Sequence, residues 1–447
     1  MDKRRFLKLI ASIFGTATAS RLFSKESNAN IAERLTNWAG NLTYGTSNLS
    51  RAESVKDVQE IVKSETKFRA LGTRHCFNNI ADSEHQLVSV RPLNQPLMLD
   101  RKRKSVTLEA GMSYGQLSPW LEREGFALHN LASLPHISVA GACATGTHGS
   151  GVKNGNLSTA VSAMELVKAN GDVVSLSREG DGEVFSGAVV HLGLLGVVTK
   201  ITLSVEQNYR ARQYVYQHLP MSEAYKNFDE IMSSGYSVSF FTGWKEMDEL
   251  WIKTREDQDF EASNSYFGGQ LAVKNLHPIA DLPAENCTDQ MGVLGTWYER
   301  LPHFKMGFTP SSGKELQSEY FVDLKNAVDA LKAVERLRDH IRPILFISEL
   351  RTIAADNLWM SPHYKRPSLA IHFTWKPDWN GVRRVLPMIE RELAPYNVRP
   401  HWGKLFTIPS KVLQSRYEKI DEFKDLVAEY DPDKKLRNAF VEKHLFG

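Results

Sequence analysis

Glu349 and Arg351 stand two apart in "PILFISELRTI", and His372 and Thr374 do the same in "PSLAIHFTW". Both stretches read as strands, on which alternate side chains leave one face, so each polar pair projects together while Ile371, Phe373 and Trp375 take the other. A carboxylate, a guanidinium, an imidazole and a hydroxyl on one sheet face suit a grip on a polyhydroxylated ligand. The same pattern also suits an exposed face carrying a Glu-Arg ion pair of little energetic value, and the residues alone leave both readings open. Lys404, in "HWGKLF", is the third element. It reads either as a surface lysine or, given the Trp and Phe around it, as a partly buried one whose ammonium form is disfavoured by burial and by the Arg351 charge. In the second case it can act as a base.

Two further stretches carry chemistry of another kind. "RALGTRHCFNNI", residues 69–80, sets Arg74 and His75 in the tightest part of a turn. "SLPHISVAGACATGTHGSG", residues 133–151, packs Gly141, Gly146, Gly149 and Gly151 among Ala, Ser and Thr. Without bulky Cβ substituents, backbone N–H groups there can approach an anion closely. The spacing of Gly141 and Gly146 imitates a Walker A loop, but Thr147-His148 stands where Lys-Ser/Thr is required. No Gly-x-Gly-x-x-Gly opens a helix after the first strand, so a Rossmann nucleotide site is unsupported. Taken singly, the run reads as a tightly packed turn and His75 as a solvent-facing loop histidine. Together the two stretches are more specific than either.

These motifs, with "ISELRT", "AIHFTWK" and "HWGKLF" after them, resemble the flavin oxidases of the vanillyl-alcohol-oxidase superfamily, and within it the alditol (xylitol) oxidases and their sugar-lactone oxidase cousins. The resemblance covers nearly all of the chain after its first residues. It implies a PCMH-type FAD-binding domain of two subdomains, followed by an α+β substrate (cap) domain with a large antiparallel sheet. It further implies that His75 anchors FAD covalently through the flavin 8α carbon, with Ala70, Leu71, Gly72, Thr73, Arg74 and Cys76 wrapping the cofactor. A neutral imidazole is a competent nucleophile for such a bond, and Arg74 nearby would help keep it unprotonated. Ser133, Ser138, Gly141, Thr145, Gly146, Thr147 and His148 would hold the diphosphate and ribityl chain, Val198 the adenine end, and His401 the isoalloxazine. Cys76 replaces the serine usual in alditol oxidases, a change that would alter the loop's hydrogen bonds.

The implied reaction is hydride transfer from a carbinol carbon to the flavin. The hydroxyl proton must leave to a base within hydrogen-bond reach, a role that falls to Lys404. Arg351 would stabilise alkoxide character and the reduced cofactor, while Glu349, His372, Thr374 and Ser133 grip the polyol. The expected product is an aldose from an alditol such as xylitol or sorbitol, with O2 or a respiratory carrier taking the electrons and hydrogen peroxide released where it is O2. The nearest rival is an aldonolactone oxidase or dehydrogenase. A rival of another class is a non-catalytic periplasmic sugar-binding flavoprotein.

The elements that must position these residues are legible in outline. "SVKDVQEIV" puts Val55, Val58, Ile61 and Val62 at helical spacing behind a capping Ser54, and "KFRALG" follows as a short strand. "KSVTLEAGMSYGQLSPWLEREGFAL" reads as strand, turn and a helix with Tyr114, Leu117, Trp120 and Leu121 inward. "MELVKANGDVVSLS" reads as a hairpin with a two-residue turn at Asn170-Gly171. "GLLGVVTKITLSVEQ" closes the first half with a long buried strand. Beyond residue 207, aromatic strands alternate with helices such as "VDLKNAVDALKAVERLRDHI", and the segment from Pro409 is helical until a turn at Asp431-Pro432. The division is therefore residues 1–30 as an export signal and linker, 31–207 as the FAD-binding domain and 208–447 as the substrate domain, whose C-terminal segment returns to the flavin.

With 42% hydrophobic and 24% charged residues, the chain has an ordinary globular composition. Lys3, Arg4, Arg5 and Lys8, offset by Asp2, supply the whole formal net charge of +3, so nothing in the remainder points to nucleic acid or an anionic membrane. "MDKRRFLKLIASIFGTATAS" joins a charged start, a short apolar stretch and an Ala-x-Ala site. It reads as a cleaved signal too short to span a bilayer, and it resembles twin-arginine signals, which implies export after folding, by the twin-arginine machinery, to the periplasm or medium. Cys76, Cys143 and Cys287 form no Cys-x-x-Cys, so no disulfide scaffold and no metal site is encoded.

Overall fold

The computed structural model describes residues 35–306 and 314–447. The expected export signal, residues 1–30, lies outside the described residues.

The helix Val55–Ser64 starts where expected, because Ser54 and Asp57 cap each other: the Asp57 amide donates to Ser54 Oγ at 3.1 Å and the Ser54 amide to Asp57 Oδ2 at 3.0 Å. It turns Val58 and Val62 into a core shared with Phe68, Val88, Val167 and Val197. Three short parallel strands, Leu49–Arg51, Gln86–Ser89 and Phe68–Ala70, lie side by side in that order. An antiparallel sheet follows in the order Pro96–Asp100, Ser105–Glu109, Val197–Ser204, Val161–Val167, Val173–Ser177. Its last hairpin corrects the two-residue turn. The Lys168 amide donates to the Asp172 carbonyl and the Gly171 amide to the Lys168 carbonyl, so the connection spans three residues and ends on Gly171 at φ +88°. The helix Tyr114–Arg123 buries Tyr114, Leu117 and Leu121 and half-buries Trp120.

From Arg210 onward a ten-stranded sheet dominates. Its centre runs Met247–Arg255, Ser237–Thr242, Leu345–Ile353, Ser368–Trp375, Leu316–Asp323, all antiparallel. The register aligns Glu349 with His372 and with Phe241, and His372 with Glu319. Strand alternation therefore carries these side chains to one face. The other face carries aromatics: Phe373 stacks on Trp375 with ring centroids 4.9 Å apart and on Trp244 at 5.9 Å. The helix Trp379–Leu393 adds Val382, Leu386, Ile389 and Leu393, all buried at helical spacing.

After the helix Ile420–Tyr430 the chain turns at Asp431, whose carboxylate accepts the Lys435 and Leu436 amides at 2.8 Å each. The tail then runs back onto the first strands. The Phe68 amide donates to the Lys435 carbonyl at 2.9 Å, and Leu436 joins the Val58–Val62 core. Buried Arg69 ties four carbonyls together, donating to Leu436 and Leu192 at 2.8 Å, Gly193 at 2.9 Å and Ile80 at 2.6 Å. The three cysteines are free, and among the described residues no helix is long and apolar enough to cross a membrane.

Candidate active site

The strand Phe68–Ala70 ends in the turn that carries His75. Arg74 takes a left-handed φ of +63°, its carbonyl accepts the Trp38 amide at 2.8 Å, and its guanidinium donates away from the turn, to the Thr36 carbonyl at 3.0 Å. The expectation that Arg74 keeps His75 neutral is corrected. Burial pushes the imidazole down to about 3, helped by His136 and Lys404, and Arg74 takes no part. His75 stacks on Trp38 with centroids 4.5 Å apart, and its Nε2 touches Nε2 of His136. Half-buried Cys76 has a thiol that desolvation pushes up to about 11, so it is a poor nucleophile, and its carbonyl accepts the Asn37 side chain at 2.9 Å.

This turn binds both other parts of the site. The Phe77 amide donates to the Gly403 carbonyl at 2.7 Å, and the Asn78 side chain to the Trp402 and Lys404 carbonyls at 2.8 and 2.6 Å. Thr73 Oγ1 accepts the Ser138 amide at 3.2 Å, which joins the turn to the glycine-rich run. That run contains the short helix Val139–Ala144, at whose start Ser138 Oγ makes no cap.

A cavity of about 420 Å3 lies between these loops and the large sheet, within the usual range for cofactor sites. All of Ala70, Leu71, Gly72, Thr73, Arg74, His75, Cys76, Ser133, Ser138, Gly141, Thr145, Thr147, His148, Val198 and His401 line it, as do Glu349, Arg351, His372, Thr374 and Lys404. Gly146 sits between Thr145 and Thr147 without lining it. At φ +66° it makes a left-handed turn with its vacant Cβ position 3.2 Å from Pro362, so the backbone there favours glycine. The loops fit a flavin dinucleotide. A Cβ at Gly72 or Gly141 would stand 2.7 Å from Ser138 Oγ, and one at Gly111 2.0 Å from the Val90 carbonyl, so the wall admits backbone alone and leaves the uncapped Ser138 hydroxyl for an anion.

The opposite wall is a buried charge cluster centred on Glu319, which the sequence reading missed. Its Oε1 accepts from Arg351 Nη2 at 2.9 Å and lies 3.3 Å from His148 Nε2 and 3.6 Å from His372 Nδ1; its Oε2 lies 2.9 Å from Lys404 Nζ. Burial alone would raise its pKa, but Lys404, His148, Arg351 and His372 outweigh that and hold the carboxyl well below the usual range. Lys404 is pulled below the ordinary lysine value, chiefly by burial and further by Arg351, with Glu319 opposing. It donates to His372 Nδ1 at 2.8 Å, which leaves the His372 proton on Nε2 to reach Thr374 Oγ1 at 3.0 Å. Arg351 Nη1 also donates to Ser133 Oγ at 3.4 Å, linking the sheet to the glycine-rich run. Glu349 Oε1 lies 2.7 Å from His303 Nε2 and 3.4 Å from Arg351 Nε. The available signal for Glu319 was the alternation of Glu315, Gln317 and Glu319 in "ELQSEYFV", the same pattern that marked Glu349 and Arg351. His136 was in view inside "SLPHIS", but nothing local tied it to His75.

Comparison with known proteins agrees with this geometry. Residues 47–177 match the FAD binding domain family, and residues 309–444 match the D-arabinono-1,4-lactone oxidase family. The chain is 42% identical over 419 residues to alditol oxidase from Streptomyces sp. (strain IKD472 / FERM P-14339), covering 92% of this chain and 99% of the relative. It is 26% identical over 431 residues to the L-gulono-1,4-lactone dehydrogenase of Mycobacterium tuberculosis, covering 92% and 98%. Among solved structures, cholesterol oxidase from B. sterolicum superimposes with a TM-score of 0.76 at 15% identity, over 96% of this chain and all of the other, a likeness of fold alone.

Proposed function

The chain belongs to the family of FAD-dependent oxidoreductases that includes alditol oxidase, and from that premise we propose that it oxidises the primary alcohol of an alditol such as xylitol or sorbitol to the aldose. The observation that carries this reading is the placing of Lys404, Arg351, Glu349, His372 and Thr374 on one wall of the cavity whose other wall is the His75 turn and the glycine-rich run. FAD would be held by Gly72 to Cys76, Ser138, Gly141, Thr145 and Thr147, with His75 bonded to it. When bound, FAD supplies the hydride acceptor and passes the electrons to oxygen, releasing hydrogen peroxide.

The chain's own residues supply the rest. Lys404 takes the hydroxyl proton, a task suited to a lysine whose ammonium form burial disfavours. Arg351, buried and never deprotonated, stabilises negative charge on the carbinol oxygen. Glu349, His372, Thr374 and Ser133 accept or donate to the remaining hydroxyls and so orient the reacting carbon. The second reading, an aldonolactone oxidase or dehydrogenase, is favoured by the match of residues 309–444 to the D-arabinono-1,4-lactone oxidase family. It uses the same base at a carbon beside a lactone carbonyl. Export by the twin-arginine machinery to the periplasm or medium completes the proposal.

One preparation tests both parts. The denatured protein is expected to give a band fluorescent under ultraviolet light, and His75→Ala to abolish it. Steady-state assays with xylitol and galactonolactone are expected to favour xylitol; turnover of the lactone alone would replace the first reading with the second.

A further inference from the structure

Behind Glu349 lies a buried lysine that the reaction does not use. Lys253, on the strand Met247–Arg255, is 1% exposed and has no ion pair among the described residues. Burying an ammonium is costly unless all its donors are engaged. Here they are: Nζ donates to the Leu301 carbonyl at 2.6 Å, to the Pro302 carbonyl at 3.0 Å and to His303 Nδ1 at 3.2 Å. Burial lowers Lys253 to about 7; in its ammonium form it has no lone pair, so His303 Nδ1 is the acceptor and the imidazole proton sits on Nε2, where the Glu349 carboxylate also draws it. That nitrogen faces Glu349 Oε1 at 2.7 Å. The ring plane is fixed by Trp251 and Phe241, which meet it edge-on with centroids 5.2 and 5.3 Å away. Glu349 Oε2 has no protein partner among the described residues, and Glu349 lines the cavity.

We propose that Lys253 and His303 are positioning residues, which lock one imidazole tautomer and so present Glu349 to the substrate as an acceptor-only carboxylate with a fixed plane and one free oxygen. The inference rests on the reading of Glu349 as a grip on substrate hydroxyls. Without Lys253 the imidazole can place its proton on Nδ1 and turn a lone pair towards Glu349 Oε1, which releases the carboxylate from its orientation. Substrate affinity then suffers, while proton removal at Lys404 does not. With Lys253 in place His303 is neutral, since burial and then Lys253 push it down to about 4.

The test is a double-mutant cycle on the flavin-loaded enzyme. Lys253→Met is expected to raise KM for xylitol about tenfold with kcat within about twofold, the scale of one lost hydrogen bond to a charged group. In a Glu349→Gln background the same substitution is expected to change KM by less than about twofold, because the coupling is gone. His303→Leu is expected to match Lys253→Met, while His303→Gln, which keeps an amide donor where Nε2 stood, restores KM to within about threefold of wild type. This pair carries the test if Lys253→Met fails to fold. An equal rise in KM with and without Glu349, or a wild-type KM in His303→Leu, overturns the proposal. Xylitol Kd from the flavin difference spectrum is read in parallel. A wild type that binds but does not turn over xylitol then counts against the function, and the cycle in Kd still decides the positioning.

Discussion

Along residues 70–76 and 133–148 the cavity is walled largely by Gly, Ala, Ser and Thr, whereas the facing wall, from buried Glu319, Glu349, Arg351 and His372 to half-buried Lys404, is made of ionisable groups on three strands and a loop. The first wall works by excluding Cβ atoms and offering amides, so its demands are steric and local. The second works by charges that hold one another in place: Glu319 alone answers to Arg351, His148, His372 and Lys404. A substitution on the first wall is therefore expected to cost cofactor, and one on the second to shift proton affinities.

Three variants probe that contrast. Lys404→Met is expected to slow flavin reduction by a factor of about 10² to 10⁴, measured anaerobically by stopped flow, with flavin content unchanged. In the wild type the base form of Lys404 is required and its pKa is depressed, so kcat/KM is expected to rise with pH and to level off below the ordinary lysine value. Glu319→Gln comes next. It removes the charge that opposes the lowering of Lys404, so the alkaline rise in kcat/KM is expected to move to lower pH, and the uncompensated cations to cost about 3–5 kcal/mol by denaturant titration. An unmoved pH profile would show that the second wall is not electrostatically coupled. Gly111→Ala, on the first wall, places a Cβ against the Val90 and Leu93 carbonyls at 2.0 and 2.5 Å, backbone atoms with little freedom to yield. It is expected to cost about 1–3 kcal/mol and to lower flavin content while leaving the pH profile in place.

The same contrast explains what could be read beforehand. The capped helix Val55–Ser64 and the His75 turn were legible because their determinants are contiguous. Glu349 with Arg351 and His372 with Thr374 were legible as same-face pairs, since alternation is a property of each strand alone. Glu319 was not, because its importance comes from a register that sets it beside His372 and from Lys404 arriving by a separate loop. The backbone demand at Gly146 was not legible, because a glycine needed for positive φ looks the same as one that faces a ligand. Arg74 was misread for a related reason: its left-handed backbone sends the guanidinium to Thr36, a direction that no spacing encodes. The hairpin at Asn170-Gly171 was right in kind and wrong in length, since both turn types accept that dipeptide.

Arg69 holds the Ile80, Leu192, Gly193 and Leu436 carbonyls at once, and the last of these comes from a segment 367 residues further along. Until that segment docks, the guanidinium is one acceptor short and the edge beside Phe68 is uncovered. The dinucleotide pocket, though walled mostly by the first half of the chain, thus has its supporting strand fixed only when the segment around Leu436 has docked.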